Sequence, residues 1–342
     1  MSIELSICIP TLNRAGFIGE TIDSIVAQLE PGVEVVIVDG GSTDGSDLIV
    51  ESYVALFPQI RYVQRGACEK ASNAGFDRDC SHAVQLATGT HCWLMTDDDV
   101  LNPGAIARVL KAVRAGHDIA IVSCEVRDLQ LKKQLLRARP DIAHDYVFSP
   151  SDWEGFFRMV IAHVTFVGAV VVRRSLWFER QPEDYFGTGF VHVGVVFRRP
   201  VVGTSIVLAA PLVVIRNGNG QWSARAFDIF MRRWPQLVWS FEGLSDAAKR
   251  VATPREPWRM LSVLLLQRAY GRYSILEYEA LQDQIGPTWK KVMARIIARL
   301  PLGLLYWPAR VYGHFRHADP RFFNETLDGA MRADVEKRQA NS

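Results

Sequence analysis

The chain has 342 residues, 49% hydrophobic and 22% charged, enough to bury a sizeable core in one large domain or one domain with an appendage. A net charge of +2 gives no global field for nucleic acid, and the composition is that of a folded chain. The five cysteines, Cys8, Cys68, Cys80, Cys92 and Cys124, show neither CxxC spacing nor a matching histidine pattern, which argues against zinc and a disulfide framework and for a reducing cytoplasm.

Residues 5–9 read as a strand stopped by Pro10, with no basic stretch and apolar run of a signal peptide ahead of it. Phe17, Ile18, Ile22, Ile25, Val26 and Leu29 follow at helical spacing. Residues 33–38 form an apolar strand ending at Asp39, 46–57 an amphipathic helix and 60–63 a third strand. A helix over 79–88 leads into the strand Cys92-Trp93-Leu94-Met95; 105–115 is helical and 119–124 extended. This alternation predicts βαβ units: an α/β, Rossmann-like, mostly parallel sheet whose strand C-termini share one ligand-binding edge.

Residues 125–146 are charged and irregular and are expected to form a mobile excursion. Residues 153–162 read as helix, 166–172 as strand, and 190–197 fit helix and strand equally. Residues 206–215 read as a strand with Pro211 inside it, which demands an edge or a bulge. Helices are expected over 224–241, 257–273, 275–285 and 290–300. A boundary near 222 divides a mixed domain, 1–222, from a helical region, 223–342; no apolar stretch is long enough to span a bilayer.

Three consecutive carboxylates, Asp97, Asp98 and Asp99, stand where a buried strand emerges. They repel one another, and partial burial makes ionisation costlier. A cation relieves both problems, and oxygen-only ligands favour Mg²⁺ or Mn²⁺ held jointly with substrate phosphates. The competing reading is an acidic turn opening the helix after Asn102-Pro103-Gly104. The loop 38–46 is built of turn residues. Asp39 faces the ligand edge, where a carboxylate accepts from a nucleobase or ribose, and Gly40 permits close approach. Asp44 and Ser46 read as helix caps. Neither a Walker loop nor a GxGxxG fingerprint is present.

Four segments in order resemble the family 2 glycosyltransferases of GT-A type. Ser6-Ile7-Cys8-Ile9-Pro10-Thr11-Leu12-Asn13-Arg14 is similar to the family's opening strand and Pro-x-x-Asn-Arg loop, and Val36-Ile37-Val38-Asp39-Gly40-Gly41-Ser42-Thr43-Asp44 to its second signature. Asn73-Ala74-Gly75-Phe76-Asp77-Arg78 looks like its Asn-x-Gly segment, and Trp93 to Asp99 like its DxD-type metal signature. Gly75-Phe76-Asp77-Arg78 with Cys92-Trp93-Leu94 is most similar to the abequosyltransferase-like branch, which transfers deoxysugars in O-antigen assembly. The resemblance covers residues 1–125 and is looser beyond them.

It implies a nucleotide-sugar-binding half, 1–125, and an acceptor half, 126–222. Pro10, Thr11, Asn13 and Arg14 would lie near the nucleotide, Asp39 and Gly40 at base or ribose, and Arg78 at ribose or phosphate. Asp97 and Asp99 would hold Mg²⁺ or Mn²⁺, with Asp97 and Asp98 shared with the donor. The acidic pair that supplies the family's base is replaced here by Tyr185-Phe186-Gly187-Thr188-Gly189-Phe190-Val191-His192, leaving His192, Asp184 and Glu183 as candidates and the stereochemical outcome open. Arg216 and Trp222, after a strand, are candidates for acceptor phosphate and sugar, against a plain loop.

Residues 284–318 contain no acid but Lys290, Lys291, Arg295, Arg299, Arg310 and Arg316, interleaved with Trp289, Ile296, Leu304 and Trp307. That mixture suits contact with a membrane interface through 289–317, in pieces broken at Pro301 and Pro308, or a packed helix with a solvated basic face. The expectation is a metal-dependent glycosyltransferase that takes a nucleotide-diphospho-sugar and a saccharide or lipid-linked acceptor at the cytoplasmic membrane surface. The alternatives are a non-catalytic nucleotide-sugar- or glycan-binding relative and a nucleotidyltransferase.

Overall fold

The structure is a computed structural model describing residues 2–65, 75–220, 225–316 and 320–340. Asn73, Ala74, Cys68 and Trp222, all singled out above, lie outside the described residues. The first elements are β1 (Leu5–Thr11), α1 (Ile18–Val26), β2 (Val33–Asp39), α2 (Ser46–Leu56), β3 (Ile60–Gln64), α3 (Gly75–Leu86) and β4 (His91–Leu94). β1 runs parallel to both β2 and β4, and β2 parallel to β3. All seven residues of β1 are buried, because a parallel sheet is covered on both faces. Ile18, Ile22 and Ile25 of α1 belong to one core cluster with Leu5, Ile7, Ile9, Val35 and Ile37 of the sheet.

After the aspartates come β5 (Val100–Leu101), α4 (Ala105–Arg114), β6 (Ile119–Arg127), β7 (Gln134–Arg139) and β8 (Tyr146–Phe148). The expected mobile excursion is instead a hairpin onto β6. Leu135 is buried, and the turn closes on Asp128 Oδ1, which accepts from the Lys132 and Lys133 N–H groups at 2.7 and 3.0 Å.

Next are α5 (Trp153–Val160), β9 (Val170–Arg173), α6 (Arg174–Glu179), α7 (Val191–Phe197) and β10 (Ser205–Arg216). The sheet order is β3-β2-β1-β4-β9-β6-β10-β5. β9 lies antiparallel between β4 and β6 and is shorter than its apolar run, since residues 167–169 form a 3₁₀ turn. β10 runs parallel to β6, and Pro211 sits between register shifts, a bulge in a strand paired on both sides.

Two compact units emerge, residues 1–217 with 240–252, and residues 218–239 with 253–342. In chain order the remaining helices are α8 (Ala226–Asp228), which runs through a π turn into α9 (Trp234–Ser240), then α10 (Asp246–Ala252), α11 (Leu261–Ala269), α12 (Ile275–Leu281), α13 (Thr288–Arg299), α14 (Leu302–Arg316) and α15 (Arg321–Ala340). Ser274 and Glu277 form a capping box on α12. Phe227, Leu264, Tyr273, Tyr278 and Ile297 make the second unit's main core. Pro308 lies inside α14 rather than breaking it. Packing of Leu305, Tyr306 and Ala309 with Phe323 and Leu327 offsets the hydrogen bond that proline removes. No helix among the described residues is long and apolar enough to cross a membrane.

Candidate active site

The C-terminal ends of β1, β2 and β4 converge on one crevice. Pro10 and Thr11 end β1 opposite Val38 and Asp39 of β2. The two following loops are stitched together: Asn13 N–H donates to Ser42 Oγ at 2.8 Å, Thr43 N–H to Asn13 Oδ1 at 2.8 Å, and Arg14 N–H to Ser46 Oγ at 2.8 Å. Asn13 takes a left-handed conformation, φ 54°, to make this turn. Its side-chain carbonyl is therefore used on the protein.

Asp39 is fully buried. Its Oδ1 accepts from Gly41 N–H (2.8 Å), Ser42 N–H (2.7 Å) and Ser42 Oγ–H (2.8 Å), and its Oδ2 from the Tyr62 hydroxyl at 2.8 Å. Instead of projecting into solvent, the carboxylate organises its own loop. At Gly40 a Cβ would stand 3.3 Å from Asp79 Oδ2, 3.4 Å from Arg65 Nη2 and 3.5 Å from Leu12 Cδ1.

Arg65 and Asp79, which the sequence reading did not single out, form an ion pair at 3.0 Å beside Gly40. Burial raises the Asp79 carboxyl to about 6 against the pull of Arg65. The available signal was position: Arg65 follows β3 at the carboxyl edge of the sheet.

Across the crevice, Asp97, Asp98 and Asp99 lie between β4 and β5 and are all buried. Arg14 reaches them from the first loop, Nε 3.3 Å from Asp97 Oδ1 and Nη2 3.3 Å from Asp98 Oδ2. Burial first, then the Asp98 charge, push the Asp97 carboxyl up to about 7 against Arg14, and the same two causes push Asp99 well above the carboxylate range.

Asp99 is held at both oxygens, its Oδ2 accepting from the Thr96 hydroxyl and its Oδ1 from the Arg216 N–H at 2.7 Å. Thr11 is buried beside Asp97, and its side chain helps to hold that carboxyl down against burial. Buried carboxylates that raise one another's pKa, with oxygen as their only donor atom, fit a hard cation held jointly with a phosphate. No three His, Cys, Asp or Glu side chains among the described residues form a cage, so the protein would supply only part of the coordination shell.

Arg216 differs from the expected acceptor ligand. It is buried, and its Nε donates to the Asp98 carbonyl at 2.9 Å, its Nη1 to the Leu129 carbonyl at 2.8 Å and its Nη2 to Glu20. Arg14 and Arg216 both lie over the Phe17 ring, at 5.9 and 5.2 Å. Arg78 is exposed, its guanidinium 5.6 Å from the Phe186 ring centroid.

His192 does not reach the crevice surface as a base. It is 1% exposed, its Nε2 bonds the Val164 carbonyl at 2.9 Å, and burial lowers its pKa to about 4. An imidazole inside an apolar helix packs as a neutral core group. Asp184 is exposed and pairs with Arg198 at 2.5 Å; Glu183 beside it is exposed too.

Comparison with known proteins follows this geometry. Residues 6–176 match the family described as Glycosyl transferase family 2. The abequosyltransferase RfbV of Salmonella typhimurium is 25% identical over 292 residues, 78% of this chain and 84% of that one. Among solved structures, residues 1–349 of S. aureus TarS, in complex with UDP-GlcNAc, give a TM-score of 0.55 at 14% identity, covering 99% of this chain and 92% of that one. The mannosyltransferase PcManGT of Pyrobaculum calidifontis, in complex with GDP-Man and Mn²⁺, gives 0.52 at 17% identity, covering 100% and 89%. The two structural likenesses establish a shared fold.

Proposed function

The chain belongs to glycosyl transferase family 2 and has a GT-A type fold, and on that premise we propose that it moves a deoxyhexose from a nucleotide-diphospho-sugar to a lipid-linked saccharide in surface polysaccharide or O-antigen assembly. The likeness to an abequosyltransferase over most of both chains supports the sugar class and the setting. The observation that carries the reading is the buried acidic cluster at the carboxyl edge of the sheet, where Arg14 spans Asp97 and Asp98 and Thr11 meets Asp97.

In this reading Arg14 and Thr11 meet the donor's diphosphate, and the backbone at Gly40, between Leu12 and the Arg65–Asp79 pair, meets the nucleoside. Asp39 positions that loop through its internal hydrogen bonds, and Arg78 approaches ribose or phosphate. Asp97, with Asp98 or Asp99, would hold Mg²⁺ or Mn²⁺, whose Lewis acidity neutralises a departing nucleoside diphosphate. Of the three candidate bases, the Asp184 and Glu183 carboxylates take precedence, since both are exposed where His192 is enclosed.

A panel of nucleotide-diphospho-sugars scored by thermal shift with Mn²⁺ tests the assignment. One donor class is expected to raise the melting temperature by mass action and then to turn over with a saccharide acceptor. Binding without turnover would favour a non-catalytic relative, and no shift with any donor would end the proposal.

We further propose peripheral contact with the cytoplasmic face of the membrane through 289–317. Trp289, Val292, Met293 and Ile296 form an exposed stripe on α13, whose buried side carries Ala294, Ile297 and Ala298. On α14, Leu304, Trp307, Val311 and Phe315 are exposed at similar spacing. Interleaved lysines and arginines supply the attraction to anionic headgroups. Sedimentation is expected with phosphatidylglycerol vesicles and not with phosphatidylcholine alone, weakened about tenfold or more by the combined W289S, W307S and F315S variant. Equal binding by that variant would remove the membrane reading.

A further inference from the structure

The loop ahead of α7 is wrapped around one carboxylate that comes from elsewhere in the chain. Asp77 lies in the first turn of α3 and is 3% exposed. Its Oδ2 accepts from the Gly187 N–H at 2.9 Å and the Gly189 N–H at 2.8 Å, and its Oδ1 from the Val191 N–H at 3.0 Å. Gly187 (φ 86°) and Gly189 (φ 80°) both adopt left-handed backbone, which turns these amides toward a common centre. The next residue of α3, Arg78, covers the Phe186 ring at the start of the same loop.

Position gives this clasp its meaning. A helix connecting parallel strands runs opposite to them, so the first turn of α3 stands at the carboxyl edge, where β1, β2 and β4 end at the acidic crevice. Loop 186–191 is brought to that edge by Asp77. The loop itself has no acidic residue, yet in chain order it occupies the place where the resembling family carries its acidic pair.

We infer that Asp77 is a positioning residue for acceptor binding: by filling the ring of amides at Gly187, Gly189 and Val191 it fixes loop 186–191 as the acceptor-side wall, at a set distance from Arg78. The inference rests on the donor and acceptor reading given above. Three charge-assisted hydrogen bonds from backbone amides to one carboxylate hold the wall to a donor-side helix, with the Arg78–Phe186 contact beside them.

Asp77→Asn tests this, because an amide keeps the shape and volume but leaves only one acceptor oxygen for three N–H groups. Two readouts are taken on the full chain: amide exchange of 186–191, and initial rates with octyl hexosides as acceptor probes. The variant is expected to lose exchange protection at Gly187, Gly189 and Val191 and to raise the acceptor KM about tenfold or more, with donor KM and kcat within about twofold of the parent.

Retained protection overturns the inference, as does an acceptor KM that stays put or a loss shared equally by donor and acceptor. If Asp77→Asn does not fold, Gly187→Ala, strained at its positive φ, loosens the loop from the other side and must give the same KM split. Should no octyl hexoside turn over in the parent, the transferase reading is what has failed; amide exchange then decides the Asp77 clasp alone.

Discussion

Asp97→Asn is expected to lower turnover about 10²–10³-fold while leaving the fold intact, the loss typical of removing one electrostatic group aimed at developing charge. Asp97 shares Arg14 with Asp98 and reaches across to the end of β1, where the Thr11 side chain also meets it. Asparagine is isosteric, cannot pair with Arg14 and gives a cation one neutral oxygen. The thermal shift produced by Mn²⁺ with nucleoside diphosphate should shrink with it. Turnover within about threefold of the parent would remove Asp97 from the chemistry.

The same carboxyl sets a pH dependence. Its folded value of about 7 lies above the unfolded aspartate range, so the native state holds the extra proton between about 4 and 7. Stability from this group is complete below the unfolded value and is lost as pH rises toward 7; Asp79, at about 6, acts in the same sense. Buried neutral histidines, His163 at about 3 and His192 at about 4, act oppositely. The difference between parent and Asp97→Asn therefore isolates Asp97. The ligand-free parent should gain melting temperature relative to the variant on acidification from pH 8 to 5, while its affinity for Mn²⁺ weakens over the same range.

Arg216→Met is expected to cost about 2–4 kcal/mol, a fall on the order of 5–10 °C in melting temperature. The pair with Glu20 contributes little of this, because the Glu20 side chain is 62% exposed. The cost comes from the Asp98 and Leu129 carbonyls, which lose guanidinium partners beside the acidic cluster. Unchanged melting together with a raised acceptor KM would instead return Arg216 to the acceptor role that its sequence position suggested.

The helices and strands up to β6, the two-residue β5 excepted, were legible because their apolar residues repeat at fixed periods, and the acidic triplet because like charges rarely gather without a counter-ion. The β6–β7 hairpin was not, since its buried side is reduced to Leu135 among charged neighbours. Nor was the direction of β9: an apolar run looks the same parallel or antiparallel. Asp39 was found, but not the hydrogen bonds by which an aspartate before Gly-Gly-Ser closes the turn on its own backbone. Arg14 on Asp97, Asp77 on Gly187 and Arg216 on Asp98 join residues far apart in sequence and leave no local trace. A glycine-rich segment asking for an anion was the one available hint of Asp77.

The antiparallel insertion of β9 imposes an order of assembly. Val171 pairs with Trp93 on one side and Ala120 on the other, so the sheet is sealed only after this late strand arrives. A nascent chain emerging from the ribosome has β4 and β6 complete long before that, each with an open edge inviting off-pathway pairing. Fragments that stop short of Arg173 should accordingly aggregate, even when they contain the whole of the nucleotide crevice.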